Sequence, residues 1–221
     1  MSIDEGYVKY VSRWTDGALP HAESVPELER WRAPLHDAGL IGHYEHLDIG
    51  FGNLSVRADA PGQFVISGTQ TGHLAHTTAD HYALVTRADI AGNAVWSVGP
   101  SRASSEALTH AAIYRLSDAI NAVVHVHDAM LWKYYLDRLP TTDARVAYGT
   151  PAMAAEFERL WSGRAFTDTC TTSFRVQGLA VMGGHEEGIV SIGRDLAEAA
   201  QRILGLKAAF NDTGGVIPKA D

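Results

Sequence analysis

No stretch of this chain constrains its fold more than Ala122-Val123-Val124-His125-Val126-His127. Valine favours the extended backbone, and along a strand successive side chains point to opposite faces. His125 and His127 then share one face, while Val126 between them is buried on the other. Two ring nitrogens side by side on a rigid strand are two-thirds of a three-histidine zinc site, the kind that keeps a coordination position open for chemistry. The run ends on a polar residue, Asp128, and strand ends that face a loop are common places for sites.

The pattern around this strand is mixed. Tyr7, Tyr10, Val11 and Trp14 recur at helical spacing before Asp16-Gly17 breaks them. Pro26 to Ala38 predicts a helix, with Leu28, Trp31, Leu35 and Ala38 as its apolar stripe and Gly39 as its stop. Strand signals follow at Asn53–Arg57, Gln63–Ser67, Tyr82–Thr86 and Ala94–Val98, with Ala91-Gly92-Asn93 as a hairpin turn. Ser104 to Leu116 predicts a helix leading straight into the histidine strand, and Leu131–Leu139 and Ala152–Trp161 predict two more. Late strands at Gly178–Met182 and Gly188–Ile192 precede a last helix from Asp195 to Phe210. No repeat, low-complexity segment or linker interrupts the order. Runs of strands with interspersed helices and short links predict a mainly antiparallel sheet covered by helices. The length of 221 residues suits one large domain.

Charge and cysteine content narrow the function. Eighteen Lys+Arg against 26 Asp+Glu give a formal charge of −8, which argues against a nucleic-acid binder, since that affinity depends on neutralising phosphates. A small anionic substrate in a locally positive pocket beside a metal remains compatible. The single cysteine, Cys170, excludes an internal disulfide framework and fits a reducing compartment; set among threonines, it reads as a packed residue rather than a nucleophile. Asp4 and Glu5 leave the start without the apolar core of a signal peptide. Nothing approaches the roughly 20 apolar residues of a membrane span. A cytoplasmic protein is expected.

Of the 11 histidines, His21, His36, His43, His46, His73, His76 and His81 lie in or near loops and read as surface or structural residues. More chemistry is carried by Ser104-Ser105-Glu106. Ser104 is a natural N-cap, which would put backbone N–H groups and two hydroxyls where an anion is stabilised. Glu106 then falls in the first turn with His110 one turn below it on the same face. Serine caps and first-turn glutamates also occur for purely structural reasons. Gly50-Phe51-Gly52-Asn53-Leu54-Ser55 and Ser67-Gly68-Thr69-Gln70-Thr71-Gly72 have the glycines and donors of anion cradles, and equally of plain turns.

Taken in order, Gly52-Asn53-Leu54-Ser55, the Thr-Gly loop, Ser104-Ser105-Glu106-x-x-x-His110, Asn121 to His127, and Gly184-His185-Glu186 form a specific set. From about Glu27 to Phe210 the chain resembles the class II aldolase/adducin family. The resemblance implies an α/β fold of three layers (α-β-α), with a central, mostly antiparallel sheet flanked by helices. It implies one such domain across residues 1–221, with residues 1–26 as an N-terminal extension, and a homotetramer with sites at subunit interfaces. His125, His127 and His185 would bind Zn²⁺ or another divalent transition metal. Glu106 would be the acid/base and could also ligate the resting metal. Asn53, Thr71, Gly72, Ser104 and Ser105 would bind the substrate's phosphate. The implied function is a zinc-dependent lyase of carbohydrate metabolism, cleaving or forming a C–C bond in a small hydroxy-carbonyl substrate through a metal-stabilised enediolate.

Three neutral imidazoles leave zinc its full charge and an open face, so a carbonyl and a neighbouring hydroxyl can chelate it. The chain also departs from the family's sugar-phosphate aldolases. Gly50 stands where those enzymes carry a phosphate-binding threonine, and the Thr-Gly loop is longer, so that Ser67-Gly68 and Thr71-Gly72 are rival matches. The segment from His127 to Tyr148 is shorter and drops a region that supplies an active-site tyrosine. Glu186 follows His185 where many relatives have glycine. Decarboxylation, epimerisation or dehydration on the same metal site therefore stand beside aldol chemistry, as does a metal-free scaffold of the adducin kind. The intact His125, His127, His185 and Glu106 weigh against the scaffold.

Overall fold

The computed structural model describes residues 7–163 and 172–215. Cys170 and the acidic start at Asp4 and Glu5 lie outside the described residues. Eight strands form one sheet in the order β1-β7-β6-β5-β4-β8-β10-β9. They are β1 (Val11–Thr15), β4 (Asn53–Arg57), β5 (Phe64–Ser67), β6 (Tyr82–Asp89), β7 (Ala94–Val98), β8 (Ala122–His127), β9 (Leu179–Val181) and β10 (Gly188–Gly193). Among the described residues, β1 on β7 is the one parallel pairing between strands of this sheet. A separate hairpin pairs β2 (Gly42–Tyr44) with β3 (Ile49–Phe51). The helices are α1 (Val25–Asp37), α2 (Ala107–Tyr114), α3 (Ala129–Tyr135), α4 (Pro151–Trp161), α5 (Phe174–Gln177) and α6 (Leu196–Asp212).

Side-chain parity on β8 sorts the layers. Val123 packs with α2, α4 and α5 through Leu108, Phe157 and Phe174. Ala122, Val124 and Val126 pack on the opposite face with Leu28 and Leu35 of α1 and with Ala199 and Ile203 of α6. This is the expected three-layer α/β architecture, a mostly antiparallel sheet between helices. His125 and His127 have the parity of Val123, so they emerge on the α2 side at the strand's end, both buried.

Two local expectations fail. Tyr7 to Trp14 is not helical, because Val11–Thr15 hydrogen-bonds along the edge of β7 and that pairing outweighs a short 3–4 spacing. Part of the N-terminal extension thus belongs to the sheet. Helix α2 begins at Ala107, not Ser104, and its N-cap is Glu106 with no side-chain capping bond. The Ser104 N–H is taken by the Ser67 carbonyl and Gly68 bridges Ala103, so Ala103–Ser105 is tied to the end of β5 and cannot join the helix. The β2–β3 hairpin and the one-turn α5 carry no clear sequence periodicity and emerge only in the structure. The hairpin turn at Ala91-Gly92-Asn93 forms between β6 and β7, with Asn93 at φ 49° and the Gly92 N–H on Asp89 Oδ1 at 2.9 Å.

Candidate metal centre and anion cradle

His125 and His127 reach the end of β8 on the same face, and the antiparallel pairing of β10 on β8 brings the turn before β10, with His185, alongside them. The Nε2 atom of His127 lies 3.1 Å from Nε2 of His125 and 3.1 Å from Nε2 of His185. All three rings are buried. Among the described residues, these three make the one cluster of histidines, cysteines or carboxylates that could hold a metal ion. Gly188 permits the convergence: a Cβ there would come within 2.7 Å of His185 Cδ2 and 3.2 Å of His125 Cε1.

The donor set fits a divalent cation. Burial pushes His125 down to about 4 and holds His127 and His185 well below the usual histidine range, so the rings are neutral and carry lone pairs. The far side of His127 settles its tautomer. Nδ1 sits 3.2 Å from the Tyr44 hydroxyl, which donates to the Glu187 carboxylate, so Nδ1–H donates to Tyr44 and Nε2 is left as an acceptor. Buried, convergent lone pairs repel one another unless a cation lies between them. Tyr44 arrives on β2, and Glu187 turns toward it from a left-handed backbone with φ 70°.

Glu106 lies beside the cluster, its Oε1 atom 3.4 Å from His185 Nε2. Burial raises its carboxyl to about 7, with the Thr109 hydroxyl and the Lys9 cation drawing it back. Below it, His110 does not join the three histidines. Its Nδ1 pairs with Ser55 Oγ at 2.7 Å, Ser55 Oγ also meets the Tyr114 hydroxyl at 2.8 Å, and burial keeps His110 well below its usual range.

The five residues expected to bind an anion come together. Asn53, Thr71, Gly72, Ser104 and Ser105 line one small polar cavity with Gly50. Asn53 faces His125 in register across β4 and β8, and its buried Oδ1 has no hydrogen-bond partner. Ser67 turns away, bonding the backbone of Leu54, while Thr71 and Gly72 remain in the lining. Packing holds the loop close: a Cβ on Gly72 would stand 2.0 Å from the Gly42 carbonyl oxygen. Behind it lies Arg32 of α1, almost fully buried, whose guanidinium donates to the carbonyls of Thr71 (2.9 Å) and Ala75 (3.4 Å). Burial pushes this guanidinium down from its usual value.

Sequence patterns did not mark Tyr44, Glu187, Arg32, Lys9 or Tyr148. Glu187 directly follows the His185 motif, whereas Tyr44, Arg32, Lys9 and Tyr148 stand apart from every motif, and only folding brings them to the site. Tyr148 packs against His185 with ring centroids 4.3 Å apart and the planes tilted by 38°. The loop histidines lie elsewhere; His43 Nε2 meets Asp48 at 3.2 Å, for example, and His81 closes a turn on Thr78.

The fold and this grouping of histidines define a class II aldolase-type protein. The family described as "Class II Aldolase and Adducin N-terminal domain" matches residues 38–211, and the chain belongs to it. Solved structures agree on the fold. L-Fuculose-1-phosphate aldolase from Thermus thermophilus superposes with a TM-score of 0.59 at 18% identity, covering 90% of this chain and 100% of that one. A sugar-phosphate aldolase from Thermotoga maritima gives 0.59 at 16%, covering 86% and 93%. YgbL from Escherichia coli, a candidate aldolase/epimerase/decarboxylase, gives 0.59 at 18%, covering 90% and 94%. No curated protein matches the sequence.

Proposed function

We propose that this chain is a metal-dependent lyase of the class II aldolase type, acting on a small hydroxy-carbonyl substrate with an acidic group such as a phosphate. The observation that carries the reading is the buried convergence of three neutral histidine Nε2 atoms with Glu106 at one edge and the Asn53–Ser104 cavity beside it. His125, His127 and His185 would hold the ion, with zinc the best match to three imidazoles. When bound, a divalent ion there supplies Lewis acidity to a substrate carbonyl and hydroxyl.

The chain's own residues account for the rest. Asn53, Thr71, Gly72, Ser104 and Ser105 orient the substrate's acidic end through amide, hydroxyl and backbone N–H donors. Glu106, with a carboxyl raised to about 7, holds or releases a proton at Oε1 or Oε2 near neutral pH. A cation on the histidines would pull that value down and favour the base. Decarboxylation, epimerisation or dehydration would draw on the same groups, and the short segment between His127 and Tyr148 favours keeping these beside aldol cleavage.

The reading further takes residues 1–221 as a single domain, in a cytoplasmic homotetramer serving carbohydrate metabolism. Among the described residues no helix is long and apolar enough to cross a membrane. The test is elemental analysis of purified protein, then a screen of metal-loaded protein against aldol, decarboxylation and epimerisation substrates. Close to one divalent ion per chain and turnover of a hydroxy-carbonyl compound are expected. A chain that takes up no divalent ion overturns the reading.

A further inference from the structure

The matched family segment begins at residue 38, and Arg32 of α1 stands before it. Arg32 is 1% exposed, and two carbonyls hold its guanidinium: Nη2 donates to Thr71 at 2.9 Å and Nη1 to Ala75 at 3.4 Å. A buried cation is costly without a counter-charge. The carboxylate whose charge it feels is Glu29, one turn earlier on α1. Glu29 is committed elsewhere. Its Oε2 accepts from the Thr77 N–H at 2.8 Å and from the Thr77 hydroxyl, and its Oε1 lies 3.8 Å from His76 Nδ1.

The Thr71 carbonyl that Arg32 holds belongs to the same peptide as the Gly72 N–H. In a planar trans peptide the two point in opposite directions, so this N–H is turned away from Arg32. On its far side lies the cavity that Gly72 lines with Gly50, Asn53, Ser104 and Ser105. Gly50 marks the direction, since a Cβ there would stand 3.1 Å from the Gly72 nitrogen. Among the described residues no backbone carbonyl takes the Gly72 N–H. The Thr71 hydroxyl is spent on the Gly68 carbonyl at 2.9 Å, so this turn reaches the cavity through its backbone. The lining of the cavity is uncharged throughout.

Resting on the anion-cavity reading above, we propose that Arg32 is a positioning residue that supplies the positive charge of the substrate's anion site from behind, through the Thr71–Gly72 peptide. The guanidinium donates to the carbonyl, the polarised peptide donates its N–H to the anion, and the row of dipoles runs from cation to anion. The site thereby selects an anionic end over a neutral one with no charged side chain in its lining. One peptide separates the two charges by about 7 Å, and at an effective dielectric of about 20 their attraction is worth roughly ten- to fiftyfold in affinity.

The test is calorimetry with inorganic phosphate on zinc-loaded full-length protein, with acetohydroxamate, a neutral chelator, saturating the zinc so that phosphate does not bind the metal. Acetohydroxamate affinity and melting temperature are recorded for every variant. Ser105→Ala, in the lining, is expected to weaken phosphate binding and so to place the ion. Arg32→Lys keeps a cation and a donor under Thr71 and is expected to keep most of the phosphate affinity. Arg32→Gln keeps a donor, removes the charge and is expected to lose roughly ten- to fiftyfold, with acetohydroxamate binding unchanged. Glu29→Gln still accepts from Thr77, removes the opposing charge and is expected to strengthen phosphate binding. Equal losses in Arg32→Lys and Arg32→Gln show that Arg32 only shapes the loop and overturn the proposal, as does unchanged affinity in Arg32→Gln. Where neither Arg32 variant folds, Glu29→Gln decides, and no gain there overturns the proposal. Wild type that binds no phosphate, or binds it no better than Ser105→Ala, overturns the anion-cavity reading itself, and this proposal with it. A chain that takes up no zinc overturns the metal-site reading alone, and the phosphate comparison is then made on the metal-free protein.

Discussion

Tyr44→Phe deletes one oxygen and little else. The phenol ring packs on Phe51 with centroids 4.5 Å apart, and phenylalanine keeps that contact. The lost oxygen is the one 3.2 Å from His127 Nδ1 that passes the ring's proton contact on to Glu187. In wild type this relay holds His127 with Nε2 deprotonated and aimed at His125 and His185. Without it, Nδ1–H loses its acceptor and the ring is free to choose the other tautomer or rotate. Removing such an outer partner of a histidine ligand typically costs about 10- to 100-fold in metal affinity, or about 1.4–2.7 kcal/mol. Competition of zinc or cobalt between the protein and a chromophoric chelator reads this directly. Glu187→Gln should weaken affinity in the same direction but by less, because an amide oxygen still accepts from the tyrosine. The metal-free melting temperature should barely move, since Tyr44 is only half-buried. Metal affinity in Tyr44→Phe indistinguishable from wild type would refute the relay.

His127→Ala is expected to abolish binding of the ion, while Glu106→Gln keeps the ion and lowers kcat by about 10²–10⁴-fold, as for loss of a general acid/base; full activity in Glu106→Gln would remove Glu106 from its assigned role. Gly72→Ala, whose new methyl would meet the Gly42 carbonyl oxygen at 2.0 Å with backbone on both sides, should destabilise the fold by about 1–3 kcal/mol and weaken inorganic phosphate binding; a variant with wild-type melting and phosphate affinity would contradict the close packing of that loop. Metal-free protein should lose stability in acid. His110, His125, His127 and His185 are held by burial below the unfolded value of 6.5, so the unfolded chain binds more protons as pH falls below that value, and stability present above it is lost. Glu106, raised from 4.5 to about 7, acts in the opposite sense, its share declining as pH rises through that window, but it is one group against four. A denaturant midpoint at about pH 5.5 equal to that at about pH 7.5 would count against four buried neutral histidines.

Much of the site was legible before folding because its main residues sit on short-range rules. The spacing of His125 and His127 needs only strand parity to place both rings on one face, and β8 obeys it. The order of the Asn53, Ser104–Glu106 and His185 segments carried the family and hence the layers of the fold. The helical spacing of Tyr7 to Trp14 misled, since an edge strand takes its conformation from its neighbour β7 and not from its own periodicity. Ser104 misled as a helix cap for a similar reason, its N–H being taken by Ser67 across the chain.

By itself, then, the sequence determined the donor types and their local directions: two imidazoles on one strand face, a serine pair and a glutamate before a helix, glycine-bearing loops. Only the tertiary structure decided that the rings converge at 3.1 Å, because β10 must pair with β8 to bring His185 alongside. It alone placed Tyr44, Glu187, Arg32 and Lys9 around them. Tyr44, Arg32 and Lys9 lie far apart in the chain and follow no pattern. Their proximity comes from burying two apolar faces of one sheet, and that burial is a property of the whole chain.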